Sequence, residues 1–115
     1  MPRSARTIGG LGQSPSRELV LFGENLRIAR KRRGMSQRDF AARMMVSVPT
    51  LLDLEKGSPT VSIGVFVQAL TVLGMEQQLA GIIAPEKDSI GMGLEIRRIQ
   101  AKGRRKKTVV DDLDF

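Results

Sequence analysis

Apolar residues recur at helical spacing through the middle of the chain and predict two consecutive helices there. The stripes consist of Phe22, Leu26 and Ala29 in the first helix and of Phe40, Ala41 and Met44 in the second. The first helix is expected to begin near Arg17 and to end before Gly34, a residue suited to a C-terminal cap. Ser36 is a suitable N-cap for the second helix, with Asp39 three residues later as in a capping box. The second helix is therefore short and starts soon after the first ends.

The next segment predicts a third helix directly after a tight turn. Ser47 is a second potential N-cap, and Pro49 falls in the first helical turn, where its missing N–H costs nothing. The helix is expected to run to Lys56, with Gly57 and Pro59 ending it. Its inward-facing apolar residues are Leu51 and Leu54.

Two further helices are expected before Pro85. Ser62 caps a strongly apolar helix that Gly74 closes, and its spacing predicts that it is mostly buried. Its apolar positions are Ile63, Phe66, Val67, Leu70 and Leu73. A fifth, shorter helix is predicted from Met75 until Pro85 breaks it, with Leu79, Ile82 and Ile83 as its other apolar residues.

Residues after Pro85 give a less regular pattern. Within residues 89–99, apolar and other residues alternate from Ile90 to Ile96, which permits a short strand, but Leu94, Arg97 and Arg98 permit a helix. Residues 100–110 form a basic stretch expected to be a mobile linker. We therefore predict an all-α, five-helix domain over residues 17–84, preceded by a flexible arm (1–16) and followed by a basic C-terminal extension (85–115).

The distribution of charge indicates a polyanionic partner. The 115 residues carry a formal net charge of +7, which attracts phosphates whatever the fold. Eight basic and two acidic residues lie in positions 1–33, and eight basic and three acidic residues lie in positions 86–107. The last eight residues contain three aspartates and no base, so the chain ends in an acidic and apolar tag.

Composition also excludes whole classes of function. The chain has neither cysteine nor histidine, which removes disulfides, zinc sites, thiol nucleophiles and imidazole acid/base chemistry. We therefore expect that the protein is not an enzyme and that it binds neither a metal ion nor a cofactor. The longest apolar stretch is interrupted by polar residues and is too short to span a bilayer, and no secretory signal is evident. The expected location is the cytoplasm.

Two short helices joined by a tight turn, within about sixty residues of helix, form the layout of a helix-turn-helix. The residues at its caps, turn and core resemble the signature of the Cro/CI or Xre family of DNA-binding regulators. The matching positions are Leu26, Ala29, Arg30, Ser36, Gln37, Phe40, Ala41, Val46, Ser47, Thr50, Leu51, Leu54, Glu55 and Gly57. The resemblance covers residues 22–74 and implies that the protein binds double-stranded DNA.

Candidate DNA contacts follow from this layout. The amino end of the second helix is suited to a phosphate, and the first turn of the third helix is expected in the major groove. The candidates are Ser36, Gln37, Arg38, Ser47, Val48, Pro49, Thr50, Leu52, Asp53, Lys56 and Ser58. In the family the glutamine at position 37 contacts the DNA backbone. Glu55 is expected to be structural, either holding the helix end or pairing with a base such as Arg30.

Two features depart from the family pattern. Met45 stands where the family usually has glycine, which predicts a wider turn or a strained backbone. The reading surface lacks the Arg, Gln or Asn side chains that make bidentate base contacts. DNA shape and the basic flanks are therefore expected to contribute much of the affinity.

Partners beyond DNA are also indicated. One helix-turn-helix reads few base pairs, so we expect a homodimer. Its interface is expected to include Met75, Leu79, Ile82 and Ile83, together with residues 90–96, and the apolar end of the tail, Leu113 and Phe115, is expected to bind a partner. The fourth helix and the basic-then-acidic tail resemble HipB-like antitoxins, which implies a repressor of its own operon that binds a HipA-like kinase toxin. Two alternatives stay open: a stand-alone Xre-type regulator without a toxin, and a pure protein-interaction module.

Overall fold

A computed structural model describes residues 10–108 of the chain, with side chains through residue 105. Its α-helices, named here in chain order, are α1 (Gln13–Arg32), α2 (Gln37–Met44), α3 (Val48–Lys56), α4 (Ile63–Leu73) and α5 (Ser89–Thr108). Three short 3-10 turns lie between α4 and α5, at Glu76–Gln78, Ala80–Ile83 and Pro85–Lys87. No strand occurs within residues 10–108, so the all-α prediction is confirmed.

The described chain forms two compact units that divide between Leu79 and Ala80, five residues before the boundary predicted after residue 84. In the first unit, α1 to α4 surround one apolar core. Its buried members are Leu26, Met35, Phe40, Ala41, Met44, Leu51, Leu54, Ala69 and Leu73. The stripes predicted for the second and third helices all lie within this core.

Serine caps begin three of these helices as predicted. The Oγ atoms of Ser36, Ser47 and Ser62 each accept a hydrogen bond from the backbone amide three residues later, at 3.0 to 3.3 Å. Each cap satisfies one of the amides that the first turn leaves without an intrahelical partner. The helix starts were therefore readable from the sequence.

Helix α1 starts earlier than predicted. It begins at Gln13, so residues 13–16 of the predicted flexible arm are helical. Pro15 fits because it lies in the first turn, where no intrahelical bond from its nitrogen is required. At the other end, Gly34 adopts a left-handed backbone with φ of 68°, as expected for a helix C-terminus.

The prediction that the fourth helix is mostly buried is wrong. Only Ala69 and Leu73 of α4 are buried, and the side chain of Ile63 is 72% exposed. Phe66 is half-buried and stacks on Phe22 of α1, with ring centroids 4.0 Å apart. One face of this apolar helix contacts the core, because α1 to α3 cover only that face.

The chain after α4 differs from what the sequence predicts. The predicted fifth helix takes the form of 3-10 turns, with Ile82 and Ile83 exposed; without a buried stripe, tertiary packing does not sustain an α-helix there. Residues 89–99 are helical rather than extended, and α5 continues to Thr108 through most of the predicted linker. Residues 100–108 are mainly Ala, Lys, Arg and Gln, which favour helix. Leu113 and Phe115 lie outside the described residues.

Candidate nucleic-acid interface

The turn between α2 and α3 is tight and strained. Met45 adopts a left-handed backbone, with φ of 62° and ψ of 39°, and its side chain is 84% exposed. The amide of Val46 donates to the carbonyl of Ala41 at 3.0 Å, which satisfies one of the last carbonyls of α2. The strain predicted at Met45 is thus present, because a Cβ in this conformation crowds the backbone.

The first turn of α3 presents small polar and apolar groups. Ser47 Oγ accepts from the amide of Thr50 at 3.3 Å and lies 2.9 Å from the Thr50 hydroxyl. Ser47 and Pro49 are exposed, whereas Val48 and Thr50 are half-buried. One turn later, Asp53 is exposed and Leu52 is half-buried, so Leu52 is neither a core residue nor fully open to solvent.

The amino end of α2 provides a second polar edge. Ser36 and Arg38 are exposed, and Gln37 is half-buried. The first-turn amides of a helix point outward along its axis and carry the positive end of its dipole. This end of α2 therefore has the hydrogen-bond donors and the polarity that a phosphate requires.

A buried ion pair connects α1 to α3, and the same arginine also contacts the segment just before α2. Arg30 Nε donates to Glu55 Oε2 at 2.6 Å, Arg30 Nη2 donates to Glu55 Oε1 at 3.2 Å, and both side chains are at least nine-tenths buried. Arg30 Nη1 also donates to the carbonyl of Met35 at 2.9 Å. Of the two structural roles expected for Glu55, pairing with Arg30 is therefore present. Such a pair fixes relative orientation, because a buried charge is tolerated only with its partners in place.

Gln37 joins the same network. Its Nε2 donates to Glu55 Oε1 at 3.3 Å, so the amide group of this predicted DNA contact is oriented from within the protein. We call Arg30, Gln37 and Glu55 the polar clasp. The clasp connects the end of α1, the start of α2 and the end of α3, and so sets the angle at which the two helix starts face outward.

Two glycines let α1 lie against the end of α3, and neither role was predicted from the sequence. A Cβ on Gly23 would overlap the backbone carbonyl oxygen of Glu55, and one on Gly57 would lie 2.6 Å from the carbonyl oxygen of Leu19. Real Cβ atoms do not approach this closely, so neither position admits a side chain without a backbone shift. The available signal was Gly23 itself, since a glycine inside a helical pattern usually has a packing reason.

The loop after α3 holds the remaining predicted contacts. Lys56 is exposed, and Ser58 is half-buried. Ser58 Oγ accepts from the amide of Thr60 at 3.2 Å and lies 2.8 Å from the Thr60 hydroxyl. None of the eleven predicted DNA contacts is buried. They lie at the start of α2, along α3 and in the loop that follows α3.

The residues predicted for a dimer or partner interface are dispersed between the two units. Met75 packs against the core of the first unit, and Leu79 is half-buried. Ile82 and Ile83 belong to the second unit and are exposed.

Among the described residues, no cluster of acidic side chains is arranged to hold a metal ion. Within residues 10–108, no helix combines the length and apolar character that crossing a bilayer requires.

Comparison with known proteins places this arrangement in a family. Residues 21–80, just over half of the chain, match the family model described as a helix-turn-helix domain. No curated protein and no solved structure gives a significant match. Domains of this type bind DNA and are typically not enzymes, and the match is consistent with an Xre-like regulator. The chain therefore belongs to the helix-turn-helix domain family of DNA-binding proteins.

Proposed function

We propose that the protein is a sequence-specific transcriptional repressor that places the first turn of α3 in the major groove of its operator. The supporting observation is the accessible turn Ser47–Thr50, held at a fixed angle by the polar clasp. A helix in the major groove commonly presents its first residues to base edges. Bound there, the protein would exclude other proteins from the same DNA.

The proposed contacts divide into positioning and reading. Ser36, Gln37 and Arg38 at the start of α2 bind one phosphate strand, and Lys56 and Ser58 bind the other strand. Phosphate contacts set the register of the protein on the duplex but carry no sequence information. The polar clasp supports the role of Gln37. The hydrogen bond to Glu55 limits the orientations of the Gln37 side-chain amide and so favours those in which it can reach a DNA phosphate.

Reading of the bases is assigned to α3. Val48 and Pro49 contact thymine methyl groups, Thr50 donates to a base or a phosphate, and Asp53 accepts from a cytosine amine. Leu52 adds a further apolar contact. These are fewer and weaker contacts than bidentate pairs, each of which is worth about 1–3 kcal/mol of discrimination. We therefore propose that DNA shape carries a large share of the specificity.

A paired substitution tests this placement. Thr50→Glu sets a carboxylate against the phosphates and bases, and we expect operator affinity to fall at least about a hundredfold, since like-charge juxtaposition costs several kcal/mol. Thr71→Glu introduces the same charge at an exposed position on α4 and should leave affinity within about threefold. Thermal unfolding of both variants controls for stability. Equal affinities for the two variants would refute the groove placement.

We propose that the operator-binding form is a homodimer. One helix-turn-helix covers a single half-site, and a two-fold dimer matches a pseudo-palindrome. Met75, Leu79, Ile82 and Ile83 are the proposed contacts within the described residues, and Ile83 is 83% exposed. Sedimentation of the wild type and of an Ile82→Asp, Ile83→Asp variant measures this directly, with a monomeric variant expected.

The more specific role proposed is that of an antitoxin. The support is the resemblance of α4 and the C-terminal sequence to HipB-like proteins, which implies a HipA-like kinase as partner. The test is co-purification of the full chain, and of a chain lacking residues 86–115, with the kinase encoded beside it. Retention by the full chain alone is expected. Absence of a neighbouring kinase gene, or no retention, would leave the stand-alone regulator as the function.

A further inference from the structure

Helix α5 carries a cluster of arginines on one side. They occupy two pairs of adjacent positions, and the second pair lies seven residues after the first. We call these four residues the arginine face: Arg97, Arg98, Arg104 and Arg105. Seven residues are about two helical turns, so each pair repeats on the same side of the helix. Leu94 and Ala101 lie on the same side of the helix as the four arginines, and Leu94 is exposed. All four arginines are exposed.

Three apolar residues lie on the opposite side of the same helix. Met92, Ile96 and Ile99 follow one another at intervals of four and three residues, and each is exposed. Glu95 is the one acidic residue in the sequence between positions 89 and 108. The arginines therefore lie on the side of α5 that faces away from these three apolar residues, and the helix as a whole is strongly basic.

Favourable interaction with the helix dipole does not account for this face. Cations stabilise the negative end of a helix only within its last turn. Arg97 and Arg98 lie at least ten residues before Thr108, where α5 ends, which is nearly three turns away. The position of Arg97 and Arg98 therefore fits binding of a ligand that extends along the helix, and does not fit stabilisation of the helix end.

We propose that the arginine face binds the phosphate backbone of duplex DNA, without regard to sequence, as a second surface besides the helix-turn-helix. Guanidinium groups bind phosphates in a bidentate geometry. The seven-residue repeat spans about 10 Å, a length over which one DNA strand carries about three phosphates. Duplex DNA is favoured over other polyanions because the helix-turn-helix on the same chain raises its effective concentration.

Neutralising the arginine face tests the proposal in the full-length protein. The variant carries Arg97→Gln, Arg98→Gln, Arg104→Gln and Arg105→Gln, and glutamine preserves helix propensity. Dissociation constants for a duplex of random sequence are measured from 50 to about 300 mM salt, a range over which phosphate binding weakens steeply. We expect affinity at the lowest salt to fall about tenfold or more. The slope of log K against log salt should decrease by about 0.9 for each phosphate that the variant no longer neutralises.

The matched control replaces the same four arginines with lysine, which keeps the charge but loses the bidentate geometry. It is expected to retain the salt slope and to bind random duplex less tightly than the wild type but more tightly than the glutamine variant. An unchanged salt slope in the glutamine variant would overturn the proposal. So would a lysine variant as weak as the glutamine variant, or tighter binding of the wild type to single-stranded RNA of equal length than to the duplex.

The same assay separates this inference from the proposed repressor function. Thr50→Glu is expected to abolish preference for the operator while keeping the salt-dependent binding to random duplex that the arginine face provides. Loss of operator preference alone therefore concerns the helix-turn-helix. Loss of random-duplex binding in the glutamine variant concerns α5.

Discussion

The two units of this protein form helices for different reasons. In the first unit, α1 to α4 bury nine apolar side chains and an ion pair. In the second unit, no side chain described from Ala80 to residue 105 is buried. Isolated helices are marginal in water, and most helical stability in proteins comes from tertiary packing. Helices α2 and α3 therefore depend on their neighbours, whereas α5 depends on its own sequence.

The amino ends of helices are nevertheless capped by side chains in the same way in both units. Ser36 and Ser47 cap α2 and α3, and Asp88 Oδ1 accepts from the amide of Gly91 at 2.9 Å at the start of α5. A cap of this kind contributes about 1 kcal/mol wherever it occurs. The difference between the units therefore lies in what the helices contact after their first turn.

Removing one partner of the buried ion pair should disturb the first unit most. Glu55→Ala leaves Arg30 buried without a counter-ion, and we expect the free energy of unfolding to fall by about 3–5 kcal/mol. Glu24→Ala removes the partner of Arg27 in an exposed pair 3.2 Å long and should cost less than about 1 kcal/mol. Urea unfolding followed by circular dichroism measures both. Similar losses would mean that the clasp does not hold the first unit together.

The next largest effect on stability is expected from adding a methyl group where α1 contacts α3. Gly23→Ala forces the added Cβ against the carbonyl of Glu55, and we expect a loss of about 1–3 kcal/mol in unfolding free energy. Backbone atoms must move to admit it, and the polar clasp moves with them. An alanine variant as stable as the wild type would show that the two helices lie farther apart.

Relieving the strained turn has a smaller effect of opposite sign. Met45→Gly removes a Cβ from a left-handed residue, and we expect stabilisation by about 1 kcal/mol. Met45→Ala keeps the Cβ and serves as the control, which should leave the melting temperature nearly unchanged because the methionine side chain is exposed. Equal gains in both variants would trace the effect to the side chain rather than to the backbone.

A glycine substitution in α5 should have the mildest effect and probes the second unit alone. Gly103→Ala places a methyl group where nothing lies within 4 Å of the added Cβ, and it should stabilise α5 by at most about 1 kcal/mol. Helicity measured by far-ultraviolet circular dichroism should rise while the cooperative unfolding of the first unit stays in place. A drop in stability here, as expected for Gly23→Ala, would mean that α5 is packed against other residues.

Sequence patterns predicted the first unit well where the signals were local. Ser36, Ser47 and Ser62 mark helix starts, and Gly57 and Gly74 mark helix ends in left-handed conformations. Capping depends on hydrogen bonds between residues three or four apart, so it can be predicted without the fold. The pairing of Arg30 with Glu55 was one of two structural roles expected for Glu55.

Non-local features were predicted less well. The burial of α4 was overestimated, because the number of apolar residues in a helix does not reveal how many faces its neighbours cover. The close approach at Gly23 was missed, since it depends on a carbonyl that lies 32 positions later in the chain. The DNA contacts stay a prediction from the sequence, and the anchoring of Gln37 by Glu55 became visible only in the assembled helices.

The amino-acid sequence alone was enough to locate most helix boundaries of the first unit and the layout of the helix-turn-helix. Caps, left-handed glycines and apolar spacing act within one or two turns, so a short stretch of chain contains the whole signal. Two outcomes required the folded chain: which apolar faces are buried, and how α1 lies against α3. Both depend on contacts between distant residues, which no short stretch of sequence contains. The helix over residues 100–108 is a local outcome of helix propensity, which the prediction of a linker overlooked.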